Sequence, residues 1–145
     1  MKLNVLQIIL ALGIFTTSCK TQQFLPTEFK DKQINFGSGG GFTGGVNQYI
    51  LFENGQLFTQ KGMSDSLIVL PKIKRKQIKL IFKKYEEYKI GEKFIHFPGN
   101  RYHFIEMKED QAISRQTWGK NDYTPDKQLL EFYNLLNSVI KKDLE

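Results

Sequence analysis

One cysteine (Cys19), two histidines (His96 and His103), a glycine run and a lysine-rich segment are the residues here whose types and spacing could do chemistry. A single thiol closes no disulfide within the chain and builds no cysteine-rich zinc site. His96 and His103 flank the Pro98-Gly99 turn and are expected near one another on adjacent strands, with Glu106 or Glu92 as a third ligand. Such a pair would serve a metal-dependent hydrolase or acid–base chemistry, but no carboxylate stands at a fixed ligand spacing, and ordinary strand positions explain both imidazoles. Ser38, Ser64, Ser66, Ser114 and Ser138 sit in no nucleophile elbow or triad context. The chain is therefore expected to be a binding protein without a cofactor and without enzymatic activity.

Six of the twelve glycines fall between Gly37 and Gly45. Gly39-Gly40-Gly41-Phe42-Thr43-Gly44 satisfies G-x-G-x-x-G, yet that fingerprint needs a helix N-terminus directly afterwards to hold a pyrophosphate, and here a strand pattern follows. A P-loop fails as well, because no Gly-Lys-Ser/Thr follows. Two readings of the run remain. Either the glycines permit a bulged strand connection and Phe42 folds back into the core, or Gly40, Gly41, Phe42, Thr43 and Gly44 form a loop that a partner backbone approaches closely, with Phe42 as anchor. Ser38-Gly39-Gly40-Gly41-Phe42-Thr43-Gly44, followed by a strand, a helix, an aromatic strand pair and a closing helix, resembles the emfourin-like proteins, small bacterial inhibitors of thermolysin-type metalloproteases. Their signature is Ser-Gly-Gly-Phe-x-Gly, so this chain has one extra glycine before Phe42. The resemblance spans about Ile34 to Ile140 and implies a similar fold and an inhibitory role, with no contact residue carried over.

Charge is concentrated. The chain has a formal net charge of +6, and between Lys72 and Lys89 eight Lys/Arg residues face two acids, Glu86 and Glu87. On a helix, Lys72, Lys76, Lys79 and Lys83 project within one sector, away from Ile78, Phe82 and Tyr85. This stripe suits anionic lipid headgroups, lipopolysaccharide phosphates or an acidic protein surface; the plainer alternative is the solvated face of an amphipathic helix. Nucleic acid is not expected, since no recognition motif accompanies the charge.

The elements that must position these residues follow an address. Lys2 precedes the apolar run Leu3 to Phe15, which has the length of a signal-peptide hydrophobic region and is too short to span a bilayer core of about 30 Å as a helix. Phe15-Thr16-Thr17-Ser18-Cys19 resembles the lipobox of bacterial lipoproteins, with Thr16 where such boxes usually carry Leu. The resemblance implies cleavage before Cys19, a diacylglycerol thioether and an acylated terminus. With Lys rather than Asp at position 20, it also implies sorting to the outer membrane, facing the periplasm. An ordinary secretory signal with a free thiol and a simple membrane anchor are the alternatives. Residues 1–18 are thus expected as signal peptide, 19–32 as a lipidated tether, and 33–145 as one domain, whose partners are the membrane and an envelope protein or anionic lipid.

Within that domain, Val46 to Glu53 read as a strand places Val46, Gln48, Ile50 and Phe52 on one face and Asn47, Tyr49, Leu51 and Glu53 on the other. It runs into Asn54-Gly55, which predicts a hairpin with a two-residue type I′ turn. Pro71 opens a helical stretch through Ile78, Ile81, Phe82 and Tyr85. Arg101 to Met107 and Ala112 to Trp118, separated by four polar residues, predict a second hairpin. Thr124 as cap with Pro125 at the first helical position starts a helix whose apolar face is Leu129, Phe132, Tyr133, Leu136, Val139 and Ile140. The expected fold is α+β: an antiparallel sheet of two hairpins with two amphipathic helices packed on it.

Overall fold

Period-two alternation sets the two faces of the sheet. In β1 (Gln33–Gly40), Ile34 and Phe36 point to one face and Gln33 and Asn35 to the other. In a computed structural model, which describes residues 23–144, β1 lies at the centre of a seven-stranded sheet with β2 (Val46–Phe52), β3 (Leu57–Gln60), β4 (Ile68–Leu70), β5 (His96–Phe97), β6 (Arg101–Glu109) and β7 (Ala112–Trp118). The order is β4-β3-β2-β1-β6-β7-β5, and every neighbouring pair is antiparallel except β5 with β7. The α+β class is therefore as expected, while the sheet is larger than two hairpins. Gly37 to Gly40, part of the presumed loop, extends β1 as a strand between β2 and β6. β4 and β5, at three and two residues, are too short for alternation to show in sequence. The segment expected as signal peptide (residues 1–18) and Cys19 lie outside the described residues, and among those described no helix is long and apolar enough to cross a membrane.

Two helices cover one face. Ile78, Ile81 and Tyr85 of α1 (Arg75–Glu87) and Leu129, Phe132 and Leu136 of α2 (Lys127–Leu144) are buried with Ile34, Phe36, Leu51 and Ile105 in one cluster. Both helices start later than expected. α1 begins at Arg75 after Lys74, which makes no side-chain cap, and Ile73 and Ile78 occupy the two positions of a hydrophobic staple. Pro71 and Lys72 precede the helix. For α2 the cap is Asp126, whose Oδ1 accepts the Leu129 N–H at 3.0 Å, because Pro125 and Thr124 stay outside the helix.

The β2–β3 connection also departs from expectation. Phe52 N–H donates to Gln56 O at 2.9 Å and Gly55 N–H to Phe52 O at 2.9 Å, closing a three-residue loop, Glu53 to Gly55. Only Gly55 has a positive φ, of 90°, so Asn54 does not take the left-handed conformation that a type I′ turn requires. The second hairpin is tighter than expected: β6 runs on to Glu109, leaving Asp110-Gln111 as the loop.

On the face opposite the helices, Ile50, Phe52 and Phe58 form a smaller cluster capped by Phe24 and Phe29. The Phe29 and Phe52 rings stack at 4.1 Å. The stretch expected as tether therefore joins the fold from Phe24 onward.

Candidate functional site

The β1–β2 hairpin ends in a built tip. Gly40 N–H donates to Gly45 O at 3.2 Å, Gly44 N–H closes the turn on Gly41 O at 3.2 Å, and Gly41 N–H reaches Asn100 O at 2.7 Å in the turn before β6. On the other side, Val46 N–H donates to Gly62 O at 3.0 Å, and Gly62 N–H donates to Asn47 Oδ1 at 3.1 Å. The tip is thus tied to both neighbouring loops. Gly40 is required there: its φ is 92°, and a Cβ would collide with the Asn100 carbonyl.

Phe42 and Thr43 occupy the two central positions of the turn. Phe42 is 108% exposed, so the reading that folds it into the core is overturned. The turn from Gly41 to Gly44 places Phe42 outside the hydrophobic core. Met63, on the adjoining β3–β4 loop, is 80% exposed. A cleft of about 500 Å³, bordered by Ser38, Asn47, Arg101 and His103, lies at the base of the tip. Another of about 470 Å³, with Gln48, Gln60, Phe104 and Arg115 among its walls, opens beside Thr43 to Val46, where the turn leads into β2. The tip is a ridge between two hollows, able to present an aromatic ring and free backbone groups to a partner.

The histidines do not converge. His96 pairs with Thr117 and His103 with Trp118 across β7, which separates their strands, and adjacent positions of β7 face opposite sides of the sheet. Glu106, three residues from His103, faces the opposite side as well. His103 instead joins a relay. Tyr133 Oη donates to Gly37 O at 3.1 Å and lies 3.2 Å from His103 Nδ1. With its proton on that carbonyl, the Tyr133 oxygen can accept from His103 in the tautomer that carries hydrogen on Nδ1. Desolvation beside Trp118 and Tyr133 lowers the His103 pKa below 6.5.

Glu106 belongs to a charged cluster on the open face. Its carboxylate accepts Arg115 Nη1 at 2.8 Å and Asn35 Nδ2 at 3.0 Å, with Lys108 Nζ at 3.3 Å. Burial alone would raise its pKa, but Arg115, Lys108 and Asn35 outweigh that and hold it below the ordinary carboxylate value. Arg115 also lies over the Phe104 ring, 4.2 Å from its centroid.

The lysine stripe is only partly helical. Lys76, Lys79 and Lys83 are exposed on α1, whereas Lys72 lies in the segment before it. Among the described residues, none of these four has a carboxylate at ion-pair distance; Glu86 and Glu87 pair with Lys32 and Lys84. Sequence reasoning missed Met63 and Arg101 as neighbours of the tip, which only the sheet order brings there by placing the β3–β4 loop and the start of β6 beside the β1–β2 turn. It also missed Tyr133, which reaches Gly37 and His103 from α2. No protein-family model matches the chain, and no curated protein is significantly similar to it.

Proposed function

We propose that this chain is a lipid-anchored protein of the bacterial cell envelope, held at the outer membrane on the periplasmic side, that binds another envelope component and catalyses no reaction. The observation that carries the binding role is the fully exposed Phe42 on a turn fastened at both flanks. An aromatic ring presented from a preorganised backbone loses little freedom on docking, which is how such anchors contribute to affinity. The anchor is supported by the lipobox-like Ser18-Cys19 after the apolar run. A photo-crosslinking residue introduced in place of Phe42 in living cells tests the role. Adducts to one envelope component from position 42, and none from position 111 at the opposite end of β6 and β7, are expected; equal or absent crosslinking at both would refute it.

A second reading, inhibition of a thermolysin-type metalloprotease, is favoured by the exposure of Phe42, Thr43 and Gly44 at the end of the segment that carries the emfourin-like pattern. Titration of the purified protein against thermolysin-like enzymes distinguishes the two. Inhibition abolished by Phe42→Ala supports this second reading, and full protease activity at saturating protein excludes it for the enzymes tested.

A further inference from the structure

We infer that the bilayer itself is the partner of the basic α1 region: the domain stands with its β2–β3 end on anionic lipid headgroups and carries the Phe42 tip at the far end, away from the membrane. This orientation rests on the lipid-anchor reading and goes beyond it. The first argument is where the described chain begins. Phe24 N–H donates to Gln56 Oε1 at 3.3 Å, and Gln56 Nε2 returns a bond to Phe24 O at 3.4 Å, which pins the entering chain beside the β2–β3 loop. Phe24 follows Cys19 by five positions, a reach of at most about 18 Å. An acylated Cys19 therefore keeps this end close to the headgroups.

The second argument is independent of the anchor. Ile73 N–H donates to Gly55 O at 2.9 Å, so the start of α1 is fastened to that same loop. Glu86, near the other end of α1, meets Lys32 at 3.0 Å just before β1. The helix thus lies along the end of the sheet from which the tether leaves. Here Lys72, Lys74, Arg75, Lys76, Lys79 and Lys83 have no carboxylate at ion-pair distance among the described residues, whereas Glu86, Glu87 and Glu109 at the same end are taken up by Lys32 and Lys84. Three of these cations, Lys74, Arg75 and Lys76, crowd the first turn, which has no acidic residue, where the helix dipole disfavours positive charge. Fold stability does not account for that placement. A negative lipid surface within a Debye length of about 8 Å does.

Reconstituting the acylated full-length mature protein into phosphatidylcholine vesicles, with and without phosphatidylglycerol, tests the orientation. Cys19 is the only cysteine, so once it is acylated an introduced cysteine is the only free thiol. A fluorophore on Leu80→Cys, among the exposed lysines of α1, is compared with one on Thr43→Cys at the tip, using a headgroup-bound quencher. Quenching several-fold stronger at position 80, with the contrast reduced by high salt or by omitting phosphatidylglycerol, is expected. Equal quenching, or stronger quenching at position 43, overturns the orientation. Label uptake by the wild-type chain would show a free Cys19 and remove the anchor on which the orientation depends.

Discussion

Phe42 and Phe104 show how little residue type reveals without its surroundings. Phe42 on the β1–β2 turn is 108% exposed, while Phe104 in β6 is 1% exposed beneath Arg115. Phe42→Ala should change stability by no more than about 0.5 kcal/mol, whereas Phe104→Ala should cost about 3–5 kcal/mol, both measurable by chemical denaturation. Glu106 gives a pH signature. Its pKa is depressed in the fold, so its contribution is complete above the unfolded carboxylate value and is lost as pH falls through the folded one. Glu106→Gln should therefore destabilise the protein by about 1–3 kcal/mol near neutrality, and the gap to wild type should close in acid. His103 follows the same sign at a higher pH, with stability declining as pH drops below the free imidazole value of 6.5. An NMR titration should place its pKa under that value. The sequence suggested His103 as half of a metal pair, because strand separation across β7 cannot be read from residues seven positions apart.

Elements were legible where a pattern is long or a turn residue is obligatory. The alternation of β2, the apolar face of α2 and the second hairpin could be read directly, since each repeats a period over seven residues or more. Boundaries were not, because Thr124, Pro125 and Asp126 all favour a helix start and only the Leu129 hydrogen bond selects Asp126. The short strands β4 and β5 exist by pairing with β3 and β7, a tertiary effect with no local signature. At α1 the missing cap yields a prediction. Lys74→Asp supplies both a cap and a negative charge at the dipole's positive end, and should raise stability by about 0.5–2 kcal/mol. An unchanged or lowered melting temperature would show that Lys74 makes a contact worth more than the cap.

At the scale of the whole molecule, the sheet separates two chemically different ends. Eight residues of β1, at about 3.3 Å each, set them roughly 26 Å apart. One end gathers the entering chain, the β2–β3 loop and the exposed cations of α1; the other gathers the glycine tip, Met63 and Arg101. The sequence announced the glycine run and the lysine stripe but not their separation, since that follows from β1 taking the central position between β2 and β6. All of this acquires a biological direction only if Cys19 ties the chain to a bilayer. Intact mass spectrometry of the protein recovered from cell membranes tests that link most directly. The account predicts a mature chain starting at Cys19, heavier than its polypeptide mass by a diacylglyceryl group and an acyl group. A chain retaining residues 1–18, or one starting at Cys19 with an unmodified thiol, would contradict it.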